Sequence, residues 1–173
     1  MAELVDALDS KSSSGNTVWV RFPLWVQTNY MYNSKKQKKY DEAYMKMALE
    51  WGKLSYCTRK KVGALIVKDN MIISDGYNGT PSHFENTCET SSGETKWYVL
   101  HAEANAILKC AKHGQSCNGA DLYLTLSPCK ECSKLIHQAG ISRVIYYKDY
   151  KDNSGIKFLK KAGVKITQIK NGK

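Results

Sequence analysis

The sequence predicts an α/β protein: a three-layer α/β/α arrangement around a five-stranded mixed sheet whose last two strands run parallel. Three observations predict it. Segments with helix and strand patterning alternate in the order α-β-β-α-β-α-β-α-β. Asp69-Asn70 joins the first two strands by a tight turn, which makes them antiparallel. A full helix separates the last two strands, and such a connection is a right-handed parallel crossover.

The elements follow in order. Tyr44, Met47, Ala48 and Trp51 recur at helical spacing, giving an amphipathic helix from about Tyr40 that stops near Gly52 to Ser55. Val62 to Val67 is a strand by its β-branched, apolar content, and Met71 to Gly76 returns beside it. A loop through Asn78-Gly79-Thr80-Pro81 then runs polar to Lys96. His101 to Lys112 is rich in Ala, Ile and Leu and reads as a helix. Asp121 to Leu126 is a strand, Cys129 to Gln138 a helix with Gly140 just past its end, and Arg143 to Tyr147 a strand. Ile156 to Ala162 and Val164 to Ile169 complete the pattern as helix and strand.

Residues 1–37 do not conform. Ser10 to Asn16 is rich in Ser and Gly, and Trp19 to Val26 is apolar without a clear period. Val20-Arg21-Phe22-Pro23 is also what the T-loop consensus of a transfer RNA gene encodes when read as codons. The expectation is a leader, disordered or spurious, ahead of one domain over residues 38–170.

Composition narrows the class. The chain has 173 residues, 42% hydrophobic and 24% charged, ordinary for a globular domain with a real core. No stretch is long and apolar enough to be a transmembrane helix, and the acidic N-terminus is a poor signal peptide, so cytoplasmic residence is expected. Cys57, Cys88, Cys110 and Cys117 are scattered without a framework pattern and read as reduced thiols, Cys110 as a small buried hydrophobe. The net charge of +10 favours anionic partners. The run Lys35-Lys36-Gln37-Lys38-Lys39, expected just before the first helix, and the Lys157–Lys165 cluster read as solvated faces, and a substrate phosphate needs only two or three such charges.

Two motifs carry chemistry: His101-Ala102-Glu103 and Pro128-Cys129-Lys130-Glu131-Cys132. His101, Cys129 and Cys132 are three zinc ligands, and a three-ligand zinc keeps a position for water, whose pKa it lowers to about 7. Glu103 is then free to move protons. Each motif lies at a helix start, where backbone N–H groups and the dipole favour negative charge. Cys129 and Cys132 are one helical turn apart and can face one point. The competing reading is a closed structural zinc site, which needs a fourth ligand such as Cys110 or His137.

The combination resembles the signature of zinc-dependent nucleobase deaminases. Lys61-Val62-Gly63-Ala64, Gly76-Tyr77-Asn78-Gly79-Thr80-Pro81, Leu100 to Ile107 and Leu122 to Cys129 further resemble the deoxycytidylate (dCMP) deaminases of phage and bacterial type. That resemblance implies the cytidine deaminase-like fold, conversion of dCMP to dUMP for thymidylate synthesis, and a homo-oligomer, often a hexamer. It implies substrate contacts at Asn78 with the sugar, the Ala102 N–H with the pyrimidine carbonyl, Ser127 in the metal loop, and Tyr150 near the 5′-phosphate. Arg59, Lys60 or Lys61 is to supply positive charge to that phosphate. It also implies activation by dCTP with magnesium and inhibition by dTTP, with Tyr77, Gly79, Phe84, Glu85, Asn86 and Lys112 as effector positions. His83 stands where relatives often have Gly, so that loop is expected to differ. A second, structural zinc at Cys57, His83 and Cys88 is incomplete and not expected. A dCTP-accepting deaminase, a transfer RNA adenosine deaminase, or a silent nucleotide sensor with zinc remain alternatives; nucleic acid is the less favoured partner, and no membrane is expected.

Overall fold

The structure is a computed structural model and describes residues 24–169, with side chains from Ser34 onward. The elements are α1 (Leu24–Lys53), β1 (Gly63–Lys68), β2 (Met71–Tyr77), α2 (Ala102–Lys112), β3 (Asp121–Leu126), α3 (Lys130–Gln138), β4 (Arg143–Lys148), α4 (Ser154–Lys161) and β5 (Lys165–Gln168). This is the predicted order. Residues 1–23 of the expected leader lie outside the described residues. The chain divides between Lys36 and Gln37, and the sheet belongs wholly to the second part.

α1 starts at Leu24, well before the Tyr40 expected from the apolar period. The lysine run therefore lies inside a helix rather than ahead of one. The reason is propensity: Lys and Gln are good helix formers, and neither Gly nor Pro interrupts the chain between Leu24 and Trp51.

The strands form one sheet in the order β2-β1-β3-β4-β5. β1 pairs antiparallel with β2 and with β3, whereas β3–β4 and β4–β5 are parallel. Asp69 and Asn70 both have positive φ, 51° and 62°, as a two-residue hairpin turn of type I′ requires. Alternation along each strand then divides the core. Ala64, Ile66, Leu122, Leu124 and Val144 face α2, α3 and α4, while Leu65, Val67, Tyr123 and Ile145 face Tyr44, Met45 and Ala48 of α1. Three layers result.

α1 is also tied down by charge. Arg143 on β4 donates Nη1 to Asp41 Oδ2 and Nη2 to Asp41 Oδ1, each at 2.8 Å, and reaches Asp121 on β3 at 2.6 Å. Tyr123 Oη and Gln37 Nε2 donate to the same Asp41 Oδ1 at 2.7 and 2.9 Å. Burial works against a charge on Asp41, but hydrogen bonds from Arg143, Tyr123 and Gln37, with the Arg143 charge, hold its carboxyl below the usual range.

Two glycines let the layers approach. A Cβ on Gly76 of β2 would collide with Ala102 O and Ala106 N of α2, and one on Gly155 of α4 with Pro128 O and Ser133 Oγ. Both contacts press on the segments that carry the two motifs. His83 has a φ of 71°, in the left-handed region that Gly enters freely, so the loop keeps a glycine-like turn at a residue that is not Gly.

One correction concerns sulfur. Cys57 and Cys88 are joined as a disulfide across a sequence separation of 31, not scattered as free thiols. Their distance along the chain hides the pairing, because each sits in a different loop. Cys110 and Cys117 are free and buried, as a hydrophobic role for Cys110 requires.

Two outcomes follow from this packing. Asp41→Asn should cost about 2 kcal/mol at neutral pH, by weakening the two charge-assisted bonds from Arg143, which keeps Asp121 as its remaining carboxylate partner. Because the folded Asp41 pKa is depressed, its contribution is present above the unfolded value and is lost as pH falls through the folded one. Denaturation of wild type and variant should therefore converge as the pH falls below the ordinary carboxylate range, and a pH-independent gap would contradict the assignment. Gly155→Ala should destabilise by about 1–3 kcal/mol in chemical denaturation through overpacking, and an unchanged midpoint would contradict the close contact.

Candidate active site and metal centre

His101 and Cys129 are the N-cap residues of α2 and α3, both with extended backbone (ψ 157° and 169°). A cap residue lies half outside its helix, so each side chain projects from a helix start toward the same point. Cys129 Sγ accepts from Cys132 N at 3.5 Å, the capping bond that sets the second cysteine one turn into α3. Ser133 Oγ donates back to Cys129 O at 2.8 Å and fixes the same turn.

His101 Nδ1 lies 3.6 Å from Cys129 Sγ and 3.3 Å from Cys132 Sγ. A tetrahedral zinc with ordinary Zn–S and Zn–N bonds separates a sulfur from an imidazole nitrogen by about 3.6 Å. The donor set and its spacing therefore fit zinc. Among the described residues, His101, Cys129 and Cys132 form the group whose ligand atoms all lie within 4.8 Å of one another. The proposed fourth ligands are elsewhere: Cys110 is packed in the core, and His137 stacks edge-on against Phe158 with centroids 5.9 Å apart. Among the described residues no fourth His, Cys or carboxylate joins the group, which leaves it open.

Charge within the cluster is shared unevenly. Hydrogen bonds from Cys132 and His101 pull the Cys129 thiol down to about 3, against burial. The Cys132 thiol is pushed up by Cys129, burial and Glu103. Hydrogen bonding to Cys129 raises His101, against burial. Glu103, only 4% exposed, is pushed up to about 7, chiefly by burial. A carboxyl at that value can both take and give a proton near neutrality.

These groups open on a cavity of about 440 Å³ lined by His101, Ala102, Glu103 and Cys129, with Cys132 buried behind them. Asn78, Ser127, Tyr150 and Arg59 line the same cavity, so all five expected substrate positions, Ala102 included, share it. Asn78 is held rigidly: Oδ1 accepts from Val62 N at 2.7 Å and Nδ2 donates to Lys60 O at 2.8 Å. Ser127 Oγ accepts from Tyr150 N at 2.7 Å, which anchors the tyrosine beside the metal loop. Lys60 Nζ stands 5.1 Å from the centroid of the Tyr150 ring. Lys61 is turned away toward Lys53 O, leaving Arg59 and Lys60 at the wall.

The expected effector positions do not line this cavity. Phe84 is exposed and stacks on Tyr98, Gly79 pairs with Leu100, and Tyr77 O accepts from Asn105 Nδ2 of α2 at 2.7 Å. Glu85 and Asn86 are exposed in the same loop, and Lys112 is exposed at the end of α2. Among the charged and hydroxyl side chains of the wall, sequence reasoning missed Glu89, Thr95 and Lys151. Lys151 could have been found as the cation next to Tyr150. Nothing local marks Glu89 or Thr95, which arrive from the polar loop by tertiary folding.

The family model described as the cytidine and deoxycytidylate deaminase zinc-binding region matches residues 38–148. The deoxycytidylate deaminase of Mycobacterium phage D29 is 40% identical over 124 residues, covering 64% of this chain and 95% of that protein. That of Enterobacteria phage T4 is 34% identical over 158 residues, covering 66% and 82%. The crystal structure of dCMP deaminase from cyanophage S-TIM5, in complex with dCMP and dUMP, superposes with a TM-score of 0.73 at 46% identity, covering 74% of this chain and 95% of that one. Its fold is the three-layer fold described above. With its two motif-bearing helix starts inside the matched region, the chain belongs to the cytidine and deoxycytidylate deaminase family.

Proposed function

We propose that the chain hydrolyses dCMP to dUMP and ammonia. One observation carries the reading: a single cavity joins the three-ligand group, the buried Glu103 carboxyl and a basic wall of Arg59, Lys60 and Lys151. Phage relatives that bear the deoxycytidylate deaminase name support the choice of substrate.

Zinc held by His101, Cys129 and Cys132 would supply the Lewis acidity that makes water a nucleophile at neutral pH. The remaining work falls to the protein. Glu103 receives the first proton that water gives up and passes it to the pyrimidine ring nitrogen. It then takes the second from the hydroxyl newly bonded to the ring carbon and delivers it to the departing amine, so that the carbonyl forms as ammonia leaves. Its burial keeps that proton exchangeable near neutrality. Ala102 opens α2, where backbone N–H groups lack partners inside the helix, and its N–H holds the pyrimidine carbonyl. Asn78 spends one amide N–H on Lys60 O and has a second for the sugar hydroxyl. Arg59, Lys60 and Lys151 take the 5′-phosphate, with Tyr150 packed beneath Lys60. Ser127 holds Tyr150 in place.

The proposal extends to regulation. dCTP with magnesium would activate and dTTP would inhibit at Tyr77, Gly79, Phe84, Glu85, Asn86 and Lys112, within a homohexamer that feeds dTMP synthesis in the cytoplasm. Support comes from the placement of these residues off the substrate cavity. No helix among the described residues is long and apolar enough to cross a membrane.

The zinc-loaded chain should convert dCMP, read as loss of cytosine absorbance, and should respond to dCTP and dTTP; conversion of a transfer RNA stem alone would overturn the assignment. Glu103→Gln should retain zinc while turnover falls by roughly 10²–10⁴-fold. Retained turnover would remove Glu103 from the proton path. Arg59→Gln or Lys60→Gln should raise KM for dCMP about tenfold and leave that for deoxycytidine, which has no phosphate, unchanged.

A further inference from the structure

The segment from Cys57 to Lys60 forms an arm along one wall of the cavity. Three side chains of a single ribbon in the loop before α2 reach it, through four bonds. That ribbon, Cys88 to Lys96, is folded back on itself: Glu89 pairs with Thr95, Lys96 N donates to Cys88 O at 2.8 Å, and Thr90 N donates to Glu94 O at 2.8 Å. Cys88 is disulfide-bonded to Cys57 at the root of the arm. Glu89 Oε1 accepts from Thr58 N at 3.1 Å and from Arg59 N at 3.2 Å. Thr95 Oγ1 accepts from Arg59 Nη1 at 3.2 Å.

A carboxylate on the wall of a cavity meant for an anion is otherwise costly, because like charges repel. Glu89 makes sense there as a holder of the arm. One oxygen gathers two consecutive backbone N–H groups, fixing the direction in which Arg59 and Lys60 leave the chain. The disulfide beside it removes the freedom of the arm's root. Both sulfurs are buried, with Cys57 2% and Cys88 1% exposed, so the bond is part of the packed structure.

We propose that Glu89 and the Cys57–Cys88 disulfide are positioning groups for a phosphate-holding arm, so that reduction of the disulfide weakens nucleotide binding and leaves the chemistry at Glu103 unaltered. This rests on the reading of Arg59 and Lys60 as the phosphate holders. A disulfide in a reducing compartment is most often a switch rather than a staple, which fits a pair placed on a binding arm. Reduction by a small phosphine is balanced simply. The S–S bond breaks, the phosphine takes the oxygen of water and becomes its oxide, and the two water hydrogens leave both cysteines as thiols.

The test uses the zinc-loaded chain, with zinc content checked after phosphine treatment. Reduction should raise KM for dCMP about tenfold while kcat stays within about twofold and deoxycytidine turnover is unchanged. Cys57→Ser/Cys88→Ser should show the raised KM from the start and no response to phosphine. Glu89→Ala should raise KM similarly, and Glu89→Gln, whose carbonyl oxygen can still accept from both N–H groups, should restore it. Unchanged deoxycytidine turnover in each variant shows that the site is folded. If wild type does not favour dCMP over deoxycytidine, or Arg59→Gln leaves KM unchanged, the reading of the arm itself falls. If Arg59→Gln raises KM while Glu89→Ala and the reduced enzyme do not, the arm stands and the clamp is overturned.

Discussion

The convergence of two helix starts on one point is the constraint on which the rest of the structure depends. Three soft or borderline ligands within 4.8 Å of one another concentrate negative charge, and only an arrangement that supplies compensating dipoles tolerates it. α2 and α3 do so from their N-termini. Their convergence in turn demands close packing behind them. Gly76 lets α2 lie against β2, and Gly155 lets α4 press on the turn that holds Cys129. The parallel strands β3 and β4 carry the chain out to that end, and Ser127 and Tyr150 follow directly from their tips.

Much of this was legible in the sequence because the signals are local. His101 with Glu103, and Cys129 with Cys132, are neighbours along the chain, so their spacing alone encodes their geometry. The Asp69-Asn70 turn is likewise a two-residue statement, and the structure gives it the required positive φ at both positions. α1 was misjudged at its start for a physical reason. An apolar period reports a buried face, and Lys35, Lys36, Lys38 and Lys39 are exposed residues made helical by propensity. Glu89, Thr95 and the Cys57–Cys88 pairing were illegible for the opposite reason. They act across 30 or more residues, from a loop whose shape no periodicity specifies.

The formal charge of +10 also looks different once the chain is folded. Among the described residues, most of the cations lie on exposed helix faces, where solvent and salt screen them. The charges that bear on a ligand are a few at the cavity wall, and one acid sits among them, its charge absorbed by two backbone N–H groups. Local arrangement rather than net charge sets the field a phosphate would meet.

Asn78-Gly79 is the kind of dipeptide that ages chemically, since the nitrogen after the asparagine can attack its side-chain carbonyl and expel ammonia. Here that nitrogen donates to Leu100 O at 3.0 Å, and both ends of the Asn78 amide are bonded to backbone. The attacking and attacked atoms are thus both engaged elsewhere. Folding protects this asparagine from the spontaneous counterpart of the deamination proposed for the cavity it lines, and the durability of the chain becomes a matter of how rarely that loop opens.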